Sequence, residues 1–266
     1  MMYPFKKIKN GVKWVYNRLH MSEREKFFRK YARYPRFVEA EITFRDMRFK
    51  TPDVPSVLQQ LNEVFIVEKM RFSSQKEAPV IFDCGANVGT VSVYYKKLFP
   101  YARIVAFEAD QKVARYFSEN MKRNGTEKDV ELVEKAVWTD ANGVEFGAEG
   151  GDGGSVFFPG NRTKVPSVRL RDYLAREKTV DLLKVDIEGA ELAVLEDCKD
   201  ALQKIGRIFV EYHGYKAEKQ KLDVLLRLLS DSGYRYLLEN ATGSHHPFVE
   251  TPGGLLDLQV NIYAHR

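Results

Sequence analysis

The sequence predicts an α/β protein built on a mostly parallel sheet with helices on both faces. Three observations predict it. Apolar runs at Val80–Phe82, Ile104–Phe107 and Leu182–Val185, the last broken only by Lys184, are short and each followed by an acid, the pattern of strands buried on both sides. From Val80 onward such runs alternate with stretches of helical spacing, as strand-helix-strand units require. The first run passes directly into Gly85 and Gly89 and then a helix from about Thr90. In such a turn the missing side chains let a ligand approach the backbone and the free amides of the helix. A nucleotide-like cofactor is the guest it suits.

The 266 residues, 44% of them hydrophobic, allow one main packed domain with an appendage. Residues 1–36 hold eleven Lys and Arg against Glu23 and Glu25, a net +9, so the rest of the chain carries −4 to reach the total of +5. Basicity is therefore an N-terminal property, which argues against a nucleic-acid-binding body. Within it Phe5, Ile8, Val12, Val15, Tyr16 and Leu19 recur at helical spacing among lysines. This amphipathic basic helix suits packing on the body, on a sister subunit in a homo-oligomer, or, through residues 1–20, peripheral contact with an anionic membrane. Only Cys84 and Cys198 are present, both in interior stretches, so neither a disulfide framework nor a zinc site is expected, and a cytoplasmic location is. No run reaches the roughly 20 apolar residues of a membrane span.

Residues 37–75 read as an entry to the core. Phe37–Thr51 alternates apolar and polar residues around Arg45-Asp46, a hairpin closed by Pro52 and Pro55, and Val57–Phe72 returns to helical spacing. The region 76–266 carries the cofactor domain. Its helices fall at Val91–Phe99, Val113–Asn124, Leu192–Leu202 and Leu222–Ser232, and a third strand at Val130–Val133. Gly143–Gly160 is rich in glycine, with β-like runs Val144–Phe146 and Ser155–Phe158 about its centre. It reads as a hairpin whose tip lies over the cofactor edge. Val168–Ala175 covers a short strand and a helix start; Arg207–Gly214 is a strand, and Tyr234–Leu238 with Val260–Ala264 forms a closing antiparallel pair.

The glycine turn does not satisfy the dinucleotide pattern G-x-G-x-x-G. Asp83-x-Gly85-x-Asn87-x-Gly89 lacks its middle glycine and sets an acid where a pyrophosphate would be repelled. A sulfonium cofactor bearing an ammonium group, as in S-adenosylmethionine, is attracted instead. Glu108, 25 residues after Asp83, ends the second strand, where nucleotide-binding sheets hold ribose hydroxyls. The turn, Glu108 and the segment Lys184-Val-Asp186-Ile-Glu188-Gly189-Ala-Glu191 together resemble the FkbM family of S-adenosylmethionine-dependent methyltransferases over residues 60–266. The resemblance implies a class I methyltransferase, Rossmann-like seven-stranded sheet with its last strand antiparallel, and methyl transfer to a hydroxyl of a sugar or a secondary metabolite. It also implies that Asp83, Gly85, Asn87 and Gly89 surround the methionine part, that Glu108 binds the ribose, and that Ala136, Val137 and Asp140 lie by the adenine.

A hydroxyl is a poor nucleophile without a base. The candidates at the crevice are Asp186, Glu188, Glu211 and His213, with Asp186 preferred because it ends the strand beside the sulfonium and His213 because its ordinary pKa suits proton transfer. Asp186, Glu211 and His213 could alternatively hold a divalent metal that acidifies the hydroxyl. Tyr212, Tyr215 and Phe248 could stack on a sugar acceptor, and His245 and His246 could cover it. A nucleic-acid base methyltransferase is expected to place an Asn-Pro-Pro-aromatic type of motif where Asp186-Ile-Glu188-Gly189 stands. An NAD enzyme is disfavoured by Asp83, and a non-catalytic cofactor-binding partner in a glycan assembly would leave the crevice acids idle.

Overall fold

A computed structural model describes residues 22–147, 162–242, 248–249 and 254–266 of the chain. The basic helix expected over 5–19 lies outside the described residues. Helix α1 (Glu23–Tyr31) starts at a capping box, in which the Ser22 hydroxyl accepts from Glu25 N and the Glu25 carboxylate accepts from Ser22 N. Strands β1 (Ala40–Phe44) and β2 (Met47–Thr51) form the expected hairpin, turning at Arg45 in a left-handed conformation. Alternation buries Ile42, Phe44, Met47 and Phe49.

Helix α2 (Val54–Leu61) has Pro55 in its first turn, where the missing N–H costs nothing, so this proline begins a helix as well as ending the hairpin. The helix then widens into a π-helical turn, Asn62–Val67, and stops at Glu68, whose φ of 54° is left-handed. The helix expected through Phe72 is therefore five residues shorter, because the left-handed residue ends the hydrogen-bond ladder that a continuous apolar pattern suggested.

The central sheet holds β3 (Val80–Cys84), β4 (Arg103–Phe107), β5 (Val130–Val133), β10 (Leu182–Val185), β11 (Arg207–Tyr215), β12 (Arg235–Asn240) and β13 (Leu256–His265). Their order is β12-β13-β11-β10-β3-β4-β5. All are parallel except β13, which runs antiparallel to both β11 and β12. This is the seven-stranded arrangement the resemblance implies. Helices α3 (Thr90–Leu98), α4 (Gln111–Arg123), α5 (Leu170–Ala175), α6 (Glu191–Asp197) and α7 (Leu222–Asp231) complete it. Lys199–Lys204 continues from α6 as a 3-10 helix, so the helix expected over Leu192–Leu202 is in two parts.

Each strand divides its residues between two cores. Ile81, Ile104 and Ala106 pack with the hairpin, α2, α3 and α4, whereas Phe82, Val105 and Phe107 pack with the helices α5 to α7. Asn120 of α4, fully buried, ties the first core together. Its side chain bonds both Lys50 N and Lys50 O on β2 and donates to Val88 O in the glycine turn. A row of strand-edge groups is thereby covered by a helix.

Two small sheets flank the main one. Strands β6 (Ala136–Trp138) and β9 (Ser167–Arg169) pair in parallel, and β7 (Val144–Phe146) pairs antiparallel with β8 (Thr163–Val165). The run that pairs with Val144–Phe146 is thus 163–165; Ser155–Phe158 and the glycine-rich tip lie outside the described residues. The sheet order reverses direction about β3, between β10 and β4. Ligands of open α/β sheets sit at such a switch, outside the carboxyl ends of the strands.

Candidate active site

A cleft crosses those carboxyl ends. One half is made from the β3 and β4 ends with Ala136, Val137 and Phe146; the other from the β10, β11 and β13 strands with the α2 and π-helical segment. In the first half the chain is fixed mainly by its own packing. Gly85 has φ +80°, and a Cβ there would lie 1.8 Å from the carbonyl oxygen of Asp186. Gly89 has φ +88°, and its Cβ would press on the Phe117 ring at 3.0 Å. Both glycines are required by protein contacts, with approach of a ligand as a second consequence. Asn87 takes φ 49°, a conformation asparagine tolerates, and turns its N–H onto Glu108.

Glu108 stands at the cleft with one carboxylate oxygen accepting from Asn87 N and the other from Asp110 N, both at 2.8 Å. Burial pushes its pKa up to about 7, against the two amides that favour its charge. Ala136 and Val137 line the cleft beside Phe107 and Phe146, an apolar slot. Asp83 and Gly89 do not line it, nor does Asp140, whose carboxylate accepts from Asn142 N at 2.8 Å. Asp83 is fully buried. It accepts from Ser92 Oγ and faces Lys184, its partner in register on the next strand, at 3.4 Å. Burial raises its pKa.

The second half is dense in charge. Lys184 Nζ donates to Gly85 O at 2.8 Å and lies 3.2 Å from Asp186 Oδ2. Burial works against its charge, but Asp186 and Asp83 outweigh that and raise its pKa. One buried cation thus joins the glycine turn to the carboxylate at the end of β10. Asp186, Glu188 and Glu211 line the cleft; His213 does not. His213 is buried, with Nδ1 3.0 Å from Glu191 Oε1 and Nε2 3.6 Å from Glu188 Oε2. Burial disfavours its charge, yet Glu188 and Glu191 together raise its pKa well above the ordinary imidazole value. The expectation that it accepts a proton rested on the ordinary imidazole pKa, which the group does not keep between these two acids. Burial likewise raises Glu188 and Glu211.

Glu191 is the residue whose part the sequence did not disclose. Fully buried at the start of α6, it accepts from Ile187 N at 3.2 Å and Gly189 N at 2.9 Å as well as from His213. It thereby fixes the loop in which Glu188 takes a φ of 56°. Its position as the first helical residue after the glycine was the available signal. Among the described residues, Asp186, Glu188 and His213 offer ligand atoms within 4.8 Å of one another. The set able to hold a divalent ion includes Glu188 where Glu211 was expected. Tyr212 and Tyr215 are buried, their hydroxyls engaged with Lys221 N and with Glu188, and Phe248 is exposed, so none of the three lines the cleft. His245 and His246 lie outside the described residues.

The pattern of the Methyltransferase FkbM domain matches residues 83–236, more than half of the chain. The chain belongs to the FkbM methyltransferase family. Among curated relatives, the 2-O-methyltransferase NoeI of Sinorhizobium fredii is 31% identical over 161 residues, 52% of this chain and 65% of that protein. Methyltransferase sdnD of Sordaria araneosa is 28% identical over 179 residues, 50% of this chain and 66% of the relative. The chain thus spans less than two thirds of the length of each. A crystal structure of an FkbM methyltransferase from Methylobacillus flagellatus KT superimposes with a TM-score of 0.51 at 16% identity, covering 77% of this chain and 48% of that one. It shares the fold.

The family is one of S-adenosylmethionine-dependent methyltransferases, and the cleft fits that cofactor. The Glu108 carboxylate is an acceptor for hydroxyl donors, the slot of Ala136, Val137 and Phe146 suits a planar base, and the Gly85–Asn87 backbone lines the stretch between them and Asp186. No helix among the described residues is long and apolar enough to cross a membrane.

Proposed function

We propose that this FkbM protein transfers a methyl group to a hydroxyl oxygen, the acceptor being a sugar of a glycan or glycolipid. The observation that carries the reading is the position of Asp186: a carboxylate lining the cleft directly beside the Gly85 turn, 3.2 Å from the buried Lys184. The name of NoeI, a 2-O-methyltransferase, supports an oxygen acceptor. When bound, S-adenosylmethionine supplies a methyl group activated by its sulfonium. The protein's task is to align the acceptor and remove its proton. Glu108 accepts the ribose hydroxyls, Ala136 and Val137 pack on the adenine, and Asn87 holds Glu108 in place. Asp186 takes the proton of the attacking hydroxyl. Lys184 holds that carboxylate against the glycine turn and neutralises Asp83. His213 is a positioning residue, clamping the Glu188 loop through Glu191; in this reading the imidazolium occupies the place a metal would need.

The test is transfer of a labelled methyl group from S-adenosylmethionine to a panel of glycans and lipid-linked sugars. Labelled product whose methyl group survives mild base as an ether is expected. Transfer to nitrogen or to carboxylates alone would end the proposal.

A further inference from the structure

One wall of the cleft is not used by the chemistry above. Phe209, Glu211, Gln259 and Asn261 from β11 and β13 face Glu63 at the start of the π-helical segment and Lys69 just after it. The sheet register sets these residues side by side: Glu211 pairs with Asn261, and Gln259 with His213. Asn261 is 3% exposed, and its orientation is fixed by chemistry. Its Nδ2 donates to Glu239 Oε2 at 3.0 Å, and a carboxylate accepts only. The Tyr263 hydroxyl donates to the same oxygen at 2.8 Å. The other end of the amide, Oδ1, is buried and finds no donor among the described residues. A buried acceptor without a donor costs about 1–3 kcal/mol, a cost that a ligand hydroxyl or amine would remove once a small shift of Asn261 opened the oxygen to the cleft it lines.

The charge balance of the wall narrows the ligand further. Lys69 is its cation, and it is already shared between Glu63 at 3.3 Å and Glu239 at 3.7 Å. Glu63 and Glu211 add acceptors, and Asp186 and Glu188 lie along the same cleft. On this wall, among the described residues, an entering phosphate or carboxylate would meet these acids and a lysine already paired, whereas hydroxyl and amino groups would meet acceptors. The lining lysine without an ion pair among the described residues, Lys135, stands at the β5 end beside Ala136. Phe209, its ring packed edge-on against Tyr263 at 5.3 Å, gives the wall one apolar surface suited to the C–H face of a sugar ring.

We propose that this wall is the acceptor subsite, and that it takes a neutral or amine-bearing sugar and rejects phosphorylated and nucleotide-linked sugars. The proposal rests on the sugar-hydroxyl reading above and names its substrate class. Acceptor and donor then enter from opposite ends of the cleft and meet at Asp186.

The experiment uses the full chain, labelled S-adenosylmethionine and three pools: neutral oligosaccharides, their amino-sugar counterparts, and sugar phosphates with nucleotide sugars. Label is expected in one or both of the first two pools and not in the third. Asn261→Leu, close in shape but without the acceptor, is expected to raise KM for the labelled sugar about three- to tenfold, the worth of one hydrogen bond, with affinity for S-adenosylhomocysteine unchanged. Should Asn261→Leu fail to fold, Glu63→Gln at the opposite side carries the same comparison and is expected to raise KM for neutral sugars while admitting some anionic ones. Label in the anionic pool alone, or a KM unmoved by both variants, overturns the subsite and leaves the sugar reading standing. Label in none of the pools overturns the sugar reading and the subsite with it.

Discussion

The two halves of the cleft are built on opposite plans. Around β3 and β4 the backbone is fixed by left-handed residues, close packing and one acid, Glu108, held by two amides. Around β10, β11 and β13 the positions are held by charge: Lys184 between Asp83 and Asp186, and His213 between Glu188 and Glu191. A constant ligand can be met by a rigid backbone. A wall of side chains on several strands can change its guest without disturbing that backbone.

Gly85→Ala attacks the rigid half where it is least forgiving. With a Cβ 1.8 Å from Asp186 O and φ +80°, it is expected to cost about 3 kcal/mol or more of stability and to abolish S-adenosylhomocysteine binding. Thermal unfolding and calorimetric titration would show it, and near-normal binding would refute the idea that the turn is fixed by packing. Asp186→Ala addresses the charged half. Turnover is expected to fall by about two orders of magnitude with cofactor affinity changed only a few-fold; retained turnover would remove Asp186 as proton acceptor.

A pH series returns to the rigid half with a smaller effect. Free Glu108, its pKa about 7, is protonated at pH 6 and ionised at pH 8, and the ionised form is the better acceptor for ribose hydroxyls. Affinity for S-adenosylhomocysteine is therefore expected to rise about tenfold from pH 6 to pH 8. The stability linked to this group runs the other way. Its raised folded pKa favours the free protein at low pH, and that contribution is lost as pH rises through about 7. A flat binding profile would show that Glu108 is not the ribose acceptor. The smallest effect expected is that of a chelator. If the His213 ion pairs fill the metal position, EDTA leaves turnover within about twofold, and a large loss restored by Mg2+ or Mn2+ would replace the ion-pair reading with a metal site.

These halves also differ in what the sequence discloses. Strand-turn-helix geometry imposes residue types at fixed spacing, so Gly85, Asn87, Gly89 and Glu108 could be found from the pattern, and the sheet order followed from the family resemblance. Asp186, Glu188 and Glu211 were read at the crevice and line it; which acids turn away from it, and what each is paired with, did not follow. Asp83 carries the expected residue type but is turned inward, because register sets Lys184 beside it. The surroundings of His213 were not legible because its pKa depends on Glu188 and Glu191, both earlier in the chain and outside its strand. Asn261, Gln259, Glu63 and Lys69 come from segments with no local motif at all, brought together by the insertion of β13 between β11 and β12.

The widened helical turn at Asn62–Val67 bears on how such a wall changes over time. A π-helical turn holds about one more residue than an α-helical turn, so it reads as the scar of a single-codon insertion. Losing that codon would rotate the end of the turn by about 100°, swinging Lys69 off the wall, with the segment 70–79 taking up the change so that β3 and β4 kept their places. Acceptor preference in this architecture is thus reachable by indels as well as by substitutions, and related enzymes can part company in one mutational step while keeping their methyl donor.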